Sequence, residues 1–493
     1  MRCATNRTSR RPRLLAITAL LLAGCAVGPD FRRPTPPAAD RYLPEAPPSS
    51  APTTAAGPAS ATPPRLVPGA ELPGEWWGLF HSAALEEAVQ AALAGSPTLA
   101  AATATLAEAE QQVAVARGAF WPRISATAGA QHTTSTGGGT GGLPQPSPNV
   151  YSLGLSASYP LDVFGGTRRT VEQQGALAEL QRYQQAAAYL TLTGNVVSEA
   201  LTIAATRLQL ATTEELIASD RRNLALTERE FEVGTAARSD VLTADSQLAS
   251  DLTQLPTLRQ QLDAAKDALA VLTGHAPGQW RSHDFDITEF ALPGEIPLAL
   301  PAQLVRQRPD VLAAEAQLHA ASAAIGVALA QEFPSLTLSG SLTRSALEPG
   351  ALFHDFDTLR EAGGTLAAPL FAGGALRAQT EAARDAFRAQ AASYEGVVVA
   401  ALGQVTDDLW ALQNDAERVV VYRHSVDIAS EALKLQQASY TVGKSSVLQL
   451  IDAQRTYAQA RLGLATALVE QYQDAAGLLV ALGGGWWKGP LPK

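Results

Sequence analysis

A chain of 493 residues, 46% hydrophobic and 17% charged, has room for several domains, yet its composition is spread over Ala, Leu, Gln and Ser rather than dense cores, and aromatics make up only 6%. The formal charge of −10 becomes −15 once the five arginines ahead of Cys25 are removed, which argues against nucleic acid as a partner. Cys3 and Cys25 are the only cysteines, and the first lies in a leader, so the mature chain must hold through packing without an internal disulfide.

Arg2, Arg7, Arg10, Arg11 and Arg13 precede the apolar run Leu14 to Leu22 and then Ala23-Gly24-Cys25, which reads as a secretory signal over residues 1–24. Leu22-Ala23-Gly24-Cys25 resembles a bacterial lipobox, so Cys25 is expected to carry a diacylglycerol and an N-acyl chain. Ala26 in place of Asp points to the outer membrane. Residues 25–73, rich in Pro, Ala, Ser and Thr, read as a lipidated N-terminus and extended tether, with order beginning near Trp76-Trp77. No later run of 18 apolar residues suggests a spanning helix.

From Pro97 a helix carries Leu99, Leu106, Val113 and Phe120 at heptad spacing, with alanines beside them, and stops at Phe120-Trp121-Pro122. There the period changes to two. Residues 123–132 and 151–160 alternate apolar with small or polar side chains and read as a hairpin, with Tyr151, Leu153, Leu155, Ala157 and Tyr159 on one face, suited to standing between lipid and water. An ordinary amphipathic hairpin on a soluble core is the competing reading. From Gly166 to Val233 the pattern is helical over a length of about 100 Å at 1.5 Å per residue. A turn at Val233-Gly234-Thr235 follows, and then a returning helix over 237–272.

The second half says the same again. Pro309 and Pro334 are spaced as Pro97 and Pro122 are; strands are expected at about 334–343 and 362–370; Pro369-Leu370-Phe371-Ala372-Gly373-Gly374 echoes Pro160 to Gly166; a helix from Ala375 reaches a second turn at Val442-Gly443-Lys444. The chain thus divides into a first repeat at 74–295, a second at 296–483 and a tail at 484–493. Four strands per chain cannot close a barrel, and lipid does not tolerate an open sheet edge. Two copies would give 8 strands, too narrow for an open pore; three give 12, so a cyclic homotrimer is expected, with the helical hairpins assembled into a second, α-helical barrel. The fold class is therefore mixed α and β: a trimeric 12-stranded transmembrane β-barrel continued by a long periplasmic α-barrel.

Chemistry offers little. The seven histidines show no zinc-type spacing, and the densest cluster, His275, His283, Asp284 and Asp286, reads as a solvated loop. No Gly-x-Ser-x-Gly elbow is present. Neither an enzyme nor a metal site is expected. Asp240 and Asp452, roughly two turns into the returning helices, are better candidates, because threefold symmetry turns each into a ring of carboxylates that favours cations at a constriction. Asp245 and Asp251 are expected to face water.

Cys25 to Phe31, the Trp76-Trp77 start, both Pro-bounded changes from helix to strand and both Val-Gly turns, taken in order, resemble the outer-membrane factor family, the TolC-like exit ducts, and in particular its NodT-type lipoprotein branch. The resemblance implies a Gram-negative outer-membrane channel that docks on a periplasmic membrane-fusion adaptor and an inner-membrane pump to export drugs or other small molecules. It implies adaptor-docking turns at Val233, Gly234 and Thr235 and at Val442, Gly443 and Lys444. It also implies a periplasmic gate at Asp240 and Asp452, with Gln449 standing where a further acid is expected. The alternatives are a structural periplasmic coiled-coil lipoprotein, and a duct for a peptide or polysaccharide exporter.

Overall fold

A computed structural model describes residues 26–35, 41–42, 64–132 and 149–488; the lipidation expected at Cys25 lies outside the described residues. In chain order the α-helices longer than a single turn are α1 (Ala83–Gly95), α2 (Pro97–Gly118), α3 (Gly166–Glu232), α4 (Arg238–Leu252), α5 (Gln254–Leu272), α6 (Pro309–Ala330), α7 (Ala375–Thr441) and α8 (Val447–Ala481). The strands are β1 (Arg65–Pro68), β2 (Arg123–His132), β3 (Asn149–Leu161), β4 (Glu295–Leu298), β5 (Ser335–Ala346) and β6 (Asp357–Ala367). Both α3 and α7 run for 67 residues. Contacts divide the chain into two compact units.

The first unit, residues 1–34, 106–181 and 314–394, holds an antiparallel sheet in the order β2-β3-β5-β6. Directly opposed residues share a face, so the register assigns the side chains. Tyr151, Leu153, Leu155 and Tyr159 of β3 stand with Ile124, Ala126 and Ala128 of β2, with Leu336, Leu338 and Leu342 of β5 and with Leu366 of β6, and this largely apolar face also carries Arg344, opposite Leu153, and Arg360, opposite Leu342. The opposite face carries Ser125, Thr127, Ser152, Ser156, Ser158, Thr337, Ser339, Ser341 and Thr343. Leu155, Leu342 and Ile124 on the apolar face are exposed, so nothing among the described residues covers them. The outer edges of β2 and β6 pair with no strand among the described residues.

The junction between β3 and α3 is tightly built. Asp162 accepts from the backbone N–H groups of Thr167 and Arg168 and so caps α3, while Phe164 stacks on Phe333 at 4.8 Å. The segment after Cys25, expected as tether, docks here: Val27 N–H donates to Phe164 O, and Arg169 donates to Val27 O, Gly28 O and Asp30. Gly28 lies against Gly326, where a Cβ on Gly28 would meet backbone at 2.5 Å.

The second unit, residues 35–105, 182–313 and 395–493, is centred on Trp76, Trp77 and Phe80, fully buried with Leu201, Leu269, Tyr472 and Leu478. A parallel pair, β1 with β4, lies in this unit, so residues 65–68, expected as tether, are sheet. The returning helix expected over 237–272 is two helices. Pro256, three residues into α5, has no N–H to continue the ladder, and the break falls at Thr253. Its counterpart α8 has no such proline and runs unbroken for 35 residues.

Two expectations are adjusted. The last strand, expected at 362–370, occupies Asp357–Ala367, because Ser335 opposite Ala367 is the last pair that β5 supplies. By length and composition α6 is apolar enough to cross a membrane, but 56% of that apolar stretch is buried within the structure, through residues such as Leu318, Ala323 and Ile325.

Candidate functional site

The two helical turns and the returning helices behind them lie in the second unit. Each turn ends a 67-residue helix with a glycine in the left-handed region, φ 81° at Gly234 and 71° at Gly443. The released carbonyls are taken up locally: Thr235 N–H donates to Glu230 O and Lys444 N–H to Ser439 O, both at wraparound spacing. Val233 and Val442 stand at 74% and 66% exposure, so each turn presents an apolar side chain that no described residue covers.

The expected gate residues separate into two kinds. Asp240 sits three residues into α4 and reaches back to accept from Ala237 N–H at 3.0 Å; Ala237 has no side-chain acceptor to complete the box. Gln449 holds the same position in α8. It accepts from Ser446 N–H at 3.1 Å while its own N–H donates to Ser446 Oγ, a complete capping box. A glutamine closes this box as an acid would, which is a local reason for Gln449. Asp452, one turn further along, makes no side-chain hydrogen bond or ion pair among the described residues. Gln449 and Asp452 line one groove of about 300 Å³, together with Ala453 and Thr456 of α8 and Ala429, Ala432 and Gln436 of α7. Asp240 is not part of it.

The tips are joined across the halves of the chain. Tyr440 Oη donates to Glu230 Oε1, and burial together with that acidic acceptor pushes the phenol up to about 12. Behind it Ala244, Val447 and Ile451 form a small apolar cluster with Leu224. Arg238 lies over the Phe231 ring at 5.8 Å rather than pairing with an acid of the tip.

Asp251 corrects the sequence reading. Expected to face water, it is 5% exposed, and its carboxyl acts on that of Asp220 of α3, itself 4% exposed. Gln247 and Gln254 donate their amides to Asp251 at 2.7 and 3.0 Å, whereas Asp220 Oδ2 finds no donor among the described residues. Burial first, and then the Asp251 carboxyl, push Asp220 up to about 7. A similar pair, Asp415 with Asp474, joins α7 to α8, and burial likewise raises Asp415 to about 7. The sequence marked the first site only through Pro256. Asp245 is exposed. In the His275–Asp286 loop, His283 pairs with Glu289 and Asp284 with Lys266, each a partner from a flanking element.

A family model described as outer membrane efflux protein matches residues 88–275 and 300–484. Nodulation protein T of Rhizobium leguminosarum bv. viciae is 31% identical over 480 residues, 96% of this chain and 93% of that protein. The pyoverdine export outer membrane protein OpmQ of Pseudomonas aeruginosa is 31% identical over 84% of this chain and 87% of its own length. Among solved structures, the outer-membrane channel OprN superposes with a TM-score of 0.84 at 27% identity, over 94% of this chain and all of that one. The CmeC channel of Campylobacter jejuni, at 18% identity, shares the fold with a TM-score of 0.82 over 94% of this chain and 95% of its own. With both halves matched and the sheet and long helices in place, the chain belongs to the outer membrane efflux protein family, channel proteins rather than enzymes, which span the Gram-negative outer membrane and extend into the periplasm.

Proposed function

We propose that the protein is the outer-membrane channel subunit of a tripartite efflux system, passing drugs or other small molecules from a periplasmic adaptor and an inner-membrane pump to the exterior. The observation that carries this reading is the four-stranded sheet with an uncovered apolar face and two unpaired edges. Such a sheet is viable in lipid only when its edges close on other copies. Three copies give 12 strands and an open lumen, with the apolar face toward lipid and the hydroxyl face inside. A periplasmic spacer lipoprotein would have no use for such a sheet.

In this reading the two halves, 74–295 and 296–483, are repeats, and the long helices with their returns assemble into an α-barrel. Cys25 carries the lipid that fixes the N-terminus in the membrane. The turns at Val233 to Thr235 and Val442 to Lys444 receive the adaptor, and Asp452 with Gln449, helped by Asp240, forms the constriction. Reconstitution in planar bilayers tests the channel: discrete conductance steps from a three-chain particle are expected, and a monomeric protein without conductance overturns it. Deleting the gene should raise cellular accumulation of a fluorescent efflux substrate, and the intact chain should restore export.

A further inference from the structure

The acids of the four-stranded sheet lie on one face, and two of its arginines lie on the other. Asp357 and Glu361 oppose Ser345 and Ser341 on the polar face, where Arg123 opposes Ser158. On the apolar face the only Lys, Arg, Asp or Glu side chains are Arg344, between Leu153 and Thr358, and Arg360, opposite Leu342. A cation on a lipid-facing strand position is costly in the middle of a bilayer and becomes tolerable toward its edge. These two also sit side by side. Thr358 opposes Arg344 and Arg360 is two residues on, so the pair are diagonal neighbours on adjacent strands, about 7–8 Å apart. At that spacing two guanidinium groups can grip one anion, and without one they repel.

Their height in the membrane follows from the connections. Helices α2, α3, α6 and α7 all join the sheet at the end marked by Ile124, Leu161, Leu336 and Leu366, so the connection 347–356 between β5 and β6 lies at the other end. In a channel whose helices extend into the periplasm, that end stands in the outer leaflet. From Leu336 to Arg344 the strand climbs about 27 Å, or about 20 Å of height at a tilt near 40°, against an apolar band about 25 Å tall. Tyr151, opposite Ala346, stands one step further out, where an aromatic girdle belongs. Arg344 thus lies just inside the outer boundary, with Arg360 a step deeper, and both side chains are long enough to carry their heads toward it.

Neither arginine is matched by an acid of its own chain. Both are exposed, and neither makes an ion pair or hydrogen bond with a described residue, although Glu348 and Asp355 of the connection are close in sequence. What Arg344 does have is an aromatic support: its guanidinium carbon lies 4.2 Å from the centre of the Phe356 ring, which steadies the plane and leaves the N–H edge free. We propose that Arg344 and Arg360 form a binding site for a phosphate on the headgroup of the outer-leaflet glycolipid, lipid A, whose acyl chains then lie along Leu155 and Leu342. The inference rests on the channel reading above, which turns this face to lipid. Guanidinium forks match phosphate oxygens two at a time, so one phosphate satisfies both cations and removes their repulsion.

The test titrates the full-length protein in detergent with lipid A and reads it by native mass spectrometry, which counts chains and bound lipids together. Wild type is expected to take up one lipid A per chain. Arg344→Gln with Arg360→Gln should bind about a hundredfold more weakly, and wild type should bind lipid A stripped of its phosphates as weakly as that variant binds the intact lipid. Arg344→Lys with Arg360→Lys keeps the charge and should lose no more than about tenfold. Arg123→Gln, on the opposite face, should bind as wild type does. Inorganic phosphate in millimolar excess should leave the lipid in place; displacement by it overturns the lipid as ligand. A glutamine variant that forms the three-chain particle and holds lipid A as tightly as wild type overturns the site and leaves the channel standing. If that variant does not assemble, wild type decides, and equal binding of intact and phosphate-free lipid overturns the site. A wild-type protein that is a single-chain particle overturns the channel reading itself.

Discussion

Asp220 and Asp251 share a buried site with little positive charge nearby. Arg455 of α8 acts on it from a distance and reaches it through Gln247, while one turn away Glu214 and Glu215 are already matched by Arg259 and Arg461. Because the folded pKa of Asp220 is raised above the ordinary 3.8 to about 7, the native state keeps a proton that the unfolded chain has lost between those values. Stability is greatest below that window, falls as pH rises through it and is flat above. Asp220→Asn supplies the hydrogen permanently, so its melting temperature should exceed that of the wild type by several degrees at pH 8, and the gap should close toward pH 4. A melting series across that range checks the sign. In the groove, Gln449→Glu keeps the capping acceptor and adds a carboxylate beside Asp452. It should strengthen cation block of single-channel current, Asp452→Ala should weaken it, and equal block in all three proteins would remove this groove from the gate.

At the scale of elements, the turns separate what holds the fold from what is offered outward. Ser446 caps α8, so Ser446→Ala should cost about 1 kcal/mol in denaturant unfolding. Val233 and Val442 touch solvent, so Val233→Asp with Val442→Asp should leave stability within about 0.5 kcal/mol. The same double variant should abolish export if the turns receive an adaptor. Both Gly-turns, the long helices and the strand at 123–132 were legible because each is written locally, in glycine position, helical period and alternation. The break at Thr253 was written too, in Pro256, but a proline near the start of a helical pattern also suits an unbroken helix with a kink, and packing against α3 decides between them. The strands at 65–68 and 295–298 were not legible. Each is four residues long, and neither is a strand without the other, which lies far away in sequence.

Across the whole chain, composition and charge narrow the class, and the second half echoing the first predicts the order of helices and strands, but neither reveals which acids are buried. Asp251 and Asp245 look alike in sequence, and only the packing of α3 on α4 hides one and leaves the other in water. Gln449, standing where an acid is expected, completes a cap, so its identity reflects how α8 starts as much as how a pore closes. One feature of the sheet bears on cargo. Its polar face carries serine and threonine hydroxyls together with the charged Arg123, Asp357 and Glu361, and glycines at 129, 154 and 363. A wall of rotating hydroxyls exchanges hydrogen bonds with a passing solute about as readily as water does, and glycines leave no ledge on which it can lodge. If this face lines the lumen of the channel proposed above, a passing solute meets hydroxyls and a few charges rather than a shaped pocket, so choice between cargoes falls to the parts of the route that come before it.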